Sequence, residues 1–453
     1  MGTLFGTDGI RGEANSPPVD GPTGFALGRA LVKRLESDST GDRNVRVVLG
    51  KDTRLSGDML ESAVAAGIAS AGGDVLRVEV LPTPGVAFLT RALNADAGVM
   101  ISASHNPYRD NGFKVFSNQG TKLSIKEEAL VEEGILNDSA SGSTATPVVD
   151  PGRIHRVEDA RDRYISFLRD TFPPDLTLKG VRMVLDTANG AASRIAPAVF
   201  KGLGADVEVI HDQPDGRNIN EDCGSEHTES LASRVRGTGA HLGLALDGDG
   251  DRLIAVDASG QRLTGDQVLM IAAAELLKQG ALAGDLLVTT VMSNLGLTEA
   301  CLRLGLRHHA SAVGDRFVLE DMQRLGAVLG GEESGHMIFL NHHTTGDGTL
   351  SGLQLLACMV RNRATLSDLA SVMDVFPQSL VNVEVSSKPD IQTLPGVALA
   401  IRDVEEELGE QGRVLVRYSG TQKMCRVMVE GPSDEVTRRA AQQIAEAVRE
   451  TIG

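Results

Sequence analysis

The feature that most constrains this chain is a succession that occurs three times: an apolar strand, a polar glycine-bearing loop, a helix with apolar residues at helical spacing, and a second strand. "VRVVLGKDTRLSGDMLESAVAAGIASAGGDVLRVEV" is the first copy, "VRMVLDTANGAASRIAPAVFKGLGADVEVI" the second, and "DLLVTTVMSNLGLTEACLRLGLRHHAS" a degenerate third. Strands alternating with helices predict β-α-β units and largely parallel sheets, whose functional loops lie at the strands' carboxyl ends. After "TLSDLASVMDVFPQ" the pattern changes to two strands, "RVLVRYS" and "CRVMVEG", and a final amphipathic helix. The predicted fold is therefore α/β, three related α/β domains with mixed, largely parallel sheets followed by a smaller C-terminal α+β domain. The 453 residues suit such a division, since a chain this long exceeds one hydrophobic core. Boundaries fall near 154, 253 and 368, giving domains 1–154, 155–253, 254–368 and 369–453. The segment "NDSASGSTATP", rich in Ser, Thr and Gly, reads as an exposed loop near the first boundary.

Three loops carry most of the chemistry. "ISASHNPYRDNGFK" sets Ser104 before His-Asn-Pro, and a serine hydroxyl is a weak nucleophile at neutral pH until something activates it. "GLALDGDGDRLIAVD" alternates Asp247, Asp249 and Asp251 with glycine directly after an apolar strand. Like charges this close are unfavourable without a cation, and hard oxygen ligands favour Mg²⁺ or a similar ion. A calcium EF-hand is excluded, because Arg252 and Ala258 stand where that loop needs Gly and Glu. Arg11 in "GTDGIRG" and Lys114 in "DNGFKVF" sit beside glycines that allow close approach to a ligand; each is equally compatible with phosphate contact and with a surface ion pair. His105 shapes its loop rather than acting as a base. "GGEESGH" offers Glu332 and Ser334 for hydroxyl recognition, and "RYSGTQKMCR" offers Arg417, Ser419, the backbone around Gly420, Thr421 and Arg426 for phosphate, with a plain hairpin turn as the alternative.

Charge and motif content exclude other classes. The chain has 44 basic and 61 acidic residues, net −17, a field that repels nucleic acid and acidic membrane surfaces. No GxxxxGK[ST] loop and no GxGxxG after a strand occurs, so nucleotide and dinucleotide sites are unsupported. The four cysteines, Cys223, Cys301, Cys358 and Cys425, form no CxxC pair, which argues against zinc and against a disulfide framework and fits a reducing, cytoplasmic setting. No signal-like N-terminus and no apolar run of about 18 residues appears, so no membrane association is expected. The pairs His308-His309 and His342-His343 read as incidental.

Taken in order along the whole chain, "GTDGIRG", "SASHNP", "DGDGDR", "GGEESGH" and "RYSGT" resemble the α-D-phosphohexomutase superfamily. Within it, "VGDRFV" and "TTGDGTLSGLQLL" are similar to the branch acting on amino sugars. The resemblance implies four domains around a central cleft, Ser104 carried as phosphoserine, and Mg²⁺ bound by Asp247, Asp249 and Asp251 together with the group on Ser104. It implies that Arg11 and Lys114 flank the transfer and that Arg252 supports the metal loop. Glu332 and Ser334 would hold sugar hydroxyls, and Arg417, Ser419, Gly420 and Thr421 the phosphate not being transferred. The implied substrate is a small hexosamine phosphate, interconverted between its 6- and 1-phosphates through glucosamine 1,6-bisphosphate as intermediate and activator. A homodimer is also implied. Lys114, its pKa lowered by Arg11, is the expected acceptor of the sugar hydroxyl proton. Two departures stand out: Gln422-Lys423 follows Gly420-Thr421 where the family commonly has Glu-Pro, and Glu333 stands where this branch more often has Gln. The rival readings are a glucose or mannose phosphate mutase, a metal-dependent phosphatase, and a non-catalytic sugar-phosphate sensor.

Overall fold

A computed structural model describes residues 4–37, 44–140, 150–419 and 423–453. They form two compact units, one of the described residues up to Met292 with Arg307–Val372, the other of Ser293–Leu306 with Met373–Gly453.

Three sheets belong to the first unit. The first contains β1 (Ile10–Glu13), β2 (Arg46–Lys51), β3 (Asp74–Val80), β4 (Ala97–Ile101), β5 (Asp110–Ser117) and β6 (Ile154–Arg156), in the spatial order β1-β5-β4-β2-β3-β6. β2 lies parallel to β3 and β4, while β5 returns antiparallel to β4 and β1 antiparallel to β5. The second sheet contains β7 (Arg182–Asp186), β8 (Asp206–Ile210), β9 (Leu242–Leu246), β10 (Leu253–Asp257) and β11 (Arg262–Leu263), ordered β11-β10-β9-β7-β8. The third contains β12 (Leu286–Thr290), β13 (Arg307–Ser311), β14 (Leu329–Gly331) and β15 (Met337–Phe339), ordered β13-β12-β14-β15. Each predicted β-α-β unit is present as a parallel pair, β2 with β3, β7 with β8, and β12 with β13. Each sheet also carries antiparallel strands that the apolar pattern did not separate from loops. The helix of the third copy, Leu295–Leu304, packs with the second unit rather than with its flanking strands.

β4 and β9 are buried at every position and read as continuous apolar runs, as strands covered on both faces do. Leu27 and Leu31 of the helix Gly21–Glu36 and Leu60, Val64 and Ile68 of the helix Gly57–Ser70 pack on Val47, Leu49, Val99 and Ile101 in one core cluster. Each fully buried leucine or isoleucine contributes about 1.5–3 kcal/mol. The Ser/Thr/Gly-rich stretch expected as a loop begins instead inside a helix, Ile125–Ala140; residues 141–149 lie outside the described residues.

In the second unit β16 (Gln378–Glu384), β17 (Arg413–Tyr418) and β18 (Met424–Glu430) form an antiparallel sheet ordered β16-β18-β17. The helices Pro395–Leu408 and Asp434–Ile452 supply Val397, Val404, Ile444 and Val448 to its core. Among the described residues no helix is long and apolar enough to cross a membrane.

Candidate active site

Three of the loops singled out in the sequence are the links between the last parallel strand of a sheet and the antiparallel strand beside it. Ser104 follows β4, Lys114 sits on β5 opposite Met100, and Arg11 sits on β1 opposite Gly112. The three aspartates span the turn from β9 to β10, and Glu332 and Ser334 the turn from β14 to β15. A tight antiparallel return thus sets Ser104, the three aspartates, Glu332 and Ser334 beyond the carboxyl ends of their parallel strands, while Lys114 and Arg11 lie on the antiparallel strands beside them.

Ser104 is almost wholly buried, and its backbone is in the left-handed region at φ 52°. Its Oγ donates to Asp247 Oδ2 at 2.6 Å. The turn is held from behind. Arg54, itself buried, donates to the carbonyls of Ser104 (2.8 Å), Asn106 (2.8 Å) and Asp110 (3.0 Å), and also to that of Pro107. Asp52 accepts from Arg54 Nε at 2.8 Å and from Ser102 Oγ at 2.6 Å, and Ser102 Oγ accepts from Ser104 N at 2.9 Å. Asn220 reaches over from the second sheet's loops to donate to the carbonyls of Ser104 and Asn106. Gly248 lies so close that an added Cβ would stand 2.8 Å from Ser104 O. His105 Nδ1 lies 3.5 Å from Ser104 Oγ. Burial first, then the charge of Arg252, pulls that imidazole down to about 4, so it is neutral at pH 7.

The oxygens of Asp247, Asp249 and Asp251 lie within 4.8 Å of one another, all three residues being buried. Burial first, and then the like charges of Asp251 and Asp249, push the Asp247 carboxyl well above its ordinary range. Burial also works on Asp251, but Lys114, His336 and Arg252 outweigh it and hold that carboxyl well below. One oxygen of Asp249 and one of Asp251 are buried without any hydrogen-bond partner. Buried carboxylate oxygens left unmatched are what a divalent cation satisfies, so the residues present fit a metal ion.

Lys114 departs from expectation. Its Nζ lies 2.8 Å from Asp249 Oδ2, 3.2 Å from Asp251 Oδ2 and 3.4 Å from Asp8 Oδ2. Burial favours the neutral amine, but these three carboxylates outweigh it and hold the ammonium well above its usual range; Arg11 opposes them only as the smallest of these influences. The expected lowering by Arg11 is therefore corrected, because three carboxylates act on Lys114 against one guanidinium. Arg11 pairs with Asp8. Arg252 N donates to Asp247 Oδ1 at 3.1 Å, and its guanidinium lies 3.5 Å from Glu226. Glu332 Oε1 accepts from Gly314 N at 3.2 Å, and Ser334 Oγ is buried without a hydrogen-bond partner.

In the second unit Arg417 and Arg426 face each other across β17 and β18. Like charges directly opposite are unfavourable, and each has a buried Nε with no hydrogen-bond partner, an arrangement that suits an anion. Ser419 N donates to Met424 O at 2.8 Å. Gly420, Thr421 and Gln422 lie outside the described residues.

Sequence reasoning missed Asp8, Asp52, Arg54, Thr83, Lys122, Asp315 and His336. Thr83 Oγ1 donates to Asp249 Oδ2 at 2.5 Å, Lys122 bridges Asp8 and Asp315, and His336 stands 3.7 Å from Asp251 and 3.6 Å from Asp315. Signals existed for five of them: "KDTR" places Asp52 and Arg54 immediately after the buried strand β2, and Asp8, Asp315 and His336 stand inside the motifs "GTDGIRG", "VGDRFV" and "GGEESGH".

Comparison with known proteins matches this chain to four consecutive family models of phosphoglucomutase/phosphomannomutase: the alpha/beta/alpha domains I, II and III over residues 2–141, 162–260 and 264–376, and the C-terminal domain over 380–447. The chain belongs to the phosphoglucomutase/phosphomannomutase family. A relative from Syntrophobacter fumaroxidans named phosphoglucosamine mutase is 58% identical over 453 residues, covering 100% of both chains. Among solved structures, a phosphoglucomutase/phosphomannomutase family protein from Burkholderia thailandensis superposes with a TM-score of 0.80 at 24% identity, over 99% of this chain and 97% of that one. The N-acetylphosphoglucosamine mutase of Aspergillus fumigatus, solved with GlcNAc-6P and magnesium, gives 0.72 at 18% identity, over 99% and 95%. As a member of the phosphoglucomutase/phosphomannomutase family this chain is an enzyme, an isomerase of the mutase kind, and its buried aspartate triad is suited to a metal ion.

Proposed function

We propose that the chain is a phosphoglucosamine mutase, interconverting glucosamine 6-phosphate and glucosamine 1-phosphate and so supplying UDP-N-acetylglucosamine synthesis. The observation that carries the reading is the 2.6 Å hydrogen bond from Ser104 Oγ to Asp247 within the buried aspartate triad. Ser104 carries the phosphoryl group between turnovers. In the first transfer the bond from Ser104 Oγ to phosphorus breaks, the sugar's O1 bonds to phosphorus, and the sugar's hydroxyl proton ends on Ser104 Oγ, where Asp247 Oδ2 accepts its hydrogen bond. The resulting glucosamine 1,6-bisphosphate turns round, and Ser104 recovers phosphate from the 6-position. Asp247, Asp249 and Asp251 are the ligands for Mg²⁺, which when bound neutralises phosphoryl charge. Lys114 and Arg11 add fixed positive charge beside the transfer, and Arg252 anchors the aspartate turn. Glu332 and Ser334 take sugar hydroxyls, and Arg417, Ser419, Gly420, Thr421 and Arg426 take the resting phosphate. The four-part division near residues 154, 253 and 368, a homodimer and a cytoplasmic setting complete the reading.

Ser104→Ala is expected to keep the fold and lose all turnover; near-normal turnover overturns the stored-phosphate role. Rates on glucosamine, glucose and mannose phosphates, measured side by side, decide the sugar. A preference for glucose or mannose refutes the amino-sugar assignment, and steady release of inorganic phosphate without isomer formation refutes the mutase.

A further inference from the structure

The second sheet carries a cluster the mutase reaction does not use. Asp186 ends β7, His211 follows β8, and Cys223 lies in the loop that leads on to the helix Glu229–Thr238; their ligand atoms all fall within 4.8 Å of one another. Asp186 and Cys223 are buried, and the His211 side chain is 29% exposed, which leaves a way in from solvent. Asp186 accepts from Ala188 N at 2.8 Å and Gly224 N at 2.9 Å, bonds that fix the carboxylate while leaving lone pairs free. His211 Nδ1 lies 3.0 Å from Asp186 Oδ2, so the imidazole and the carboxylate already face each other. An imidazole nitrogen beside a thiol and an anchored carboxylate is a donor set of sulfur, nitrogen and oxygen, unlike the all-oxygen triad at Asp247.

We propose that Asp186, His211 and Cys223 form a second metal site that takes a borderline-soft divalent ion such as Zn²⁺. A thiolate and a carboxylate neutralise a divalent charge, imidazole completes three protein ligands, and the exposed side of His211 leaves a fourth position for water. The site is wired to the serine turn. Asn189 N donates to His211 O at 2.6 Å, Asn220 N to Ala188 O at 3.0 Å, and Asn220 Nδ2 to Ser104 O at 2.9 Å.

Titration with Co²⁺ as the probe tests this, because thiolate ligation gives a sulfur-to-cobalt charge-transfer band that an all-oxygen site does not. The band is expected in the unaltered protein and in Asp247→Asn, whose triad is broken. It is expected to vanish in Cys223→Ser and to need at least about tenfold more Co²⁺ in His211→Ala. With Zn²⁺, hydrogen exchange over residues 218–224 slows in the unaltered protein and not in either cluster variant. Absence of the band at saturating Co²⁺, or its persistence unchanged in Cys223→Ser, overturns the site. If Cys223→Ser does not fold, the His211→Ala shift decides alone, and unchanged Co²⁺ affinity there refutes the proposal.

Discussion

Arg54 is the residue whose removal tests the architecture of the serine turn most directly. Its side chain is fully buried, pairs with Asp52 at 2.8 Å, and donates to the carbonyls of Ser104, Asn106, Pro107 and Asp110. Arg54→Met keeps an unbranched, mostly apolar stem and removes every donor. Asp52 is then a buried carboxylate with its countercharge gone, and breaking such a pair costs about 3–5 kcal/mol. The carbonyls add to the loss, since each buried acceptor left unmatched costs about 1–3 kcal/mol, though the terms are not additive because part of the turn relaxes toward water. A loss of about 4 kcal/mol in urea unfolding is therefore expected, with Arg54→Lys falling between, because one ammonium cannot span a fork that serves five acceptors. The turn that carries Ser104 loosens as well, and a displacement of about 1 Å is enough to lower turnover about 100-fold. The assay pairs urea denaturation with steady-state kinetics on glucosamine 6-phosphate. Stability within about 1 kcal/mol of the parent, together with unchanged kcat, would refute the claim that Arg54 holds the turn.

Other outcomes follow from the same coordinates. Tyr164 OH donates to Asp347 Oδ2 at 2.5 Å, and burial, opposed by hydrogen bonds from Leu350 N, Tyr164 and Thr349 N, raises Asp347 to about 6. A carboxyl raised this way loses stability as pH climbs from about 4 to about 6, so Tyr164→Phe should cost about 1.5–3 kcal/mol at pH 7.5 and less at pH 5, read by urea unfolding at the two values; an equal loss at both pH values refutes the assignment. Chelation of divalent ions should lower the melting temperature, and the stabilisation restored by Mg²⁺ should shrink as pH falls, because the raised Asp247 carboxyl takes up a proton in competition with the ion; calorimetry in chelator and in Mg²⁺ at several pH values measures it. Gly265→Ala places a methyl 2.5 Å from Glu333 O and 2.6 Å from Glu332 O, so the turn carrying Glu332 and Ser334 must move. Overpacking of this kind costs about 1–3 kcal/mol, and KM for the sugar phosphate should rise while Ser104 phosphorylation, read by intact mass, is unchanged.

The parallel β-α-β units were legible because period and composition change together: apolar runs such as β4 and β9 are buried throughout, and glycine marks where each chain turns. The aspartate triad was legible for a related reason, since only Asp-Gly alternation after a buried strand brings three carboxylates to one point. The antiparallel returns were harder. β5 carries Phe113, Lys114, Val115 and Phe116 all buried, so the alternation that identifies a half-exposed strand is absent, and a buried lysine in the run reads as a loop residue. Lys114 itself was misjudged because Asp249 and Asp251, 135 and 137 residues away, converge on it together with Asp8, and sequence separation does not show which charges meet. Asp315 and His336 stand inside the motifs "VGDRFV" and "GGEESGH", but their partners Lys122 and Asp251 are 193 and 85 residues away, so the motifs marked the turns without revealing the charge network.

The left-handed backbone at Ser104 restricts which amino acid can serve there. Threonine bears the same hydroxyl and accepts phosphate equally well in chemical terms, but a branched β-carbon is a steric outlier at positive φ. The commonest exchange between phosphate-bearing side chains is thus closed at this position by backbone geometry, and a threonine there would have to abandon either the turn or the reach to Asp247.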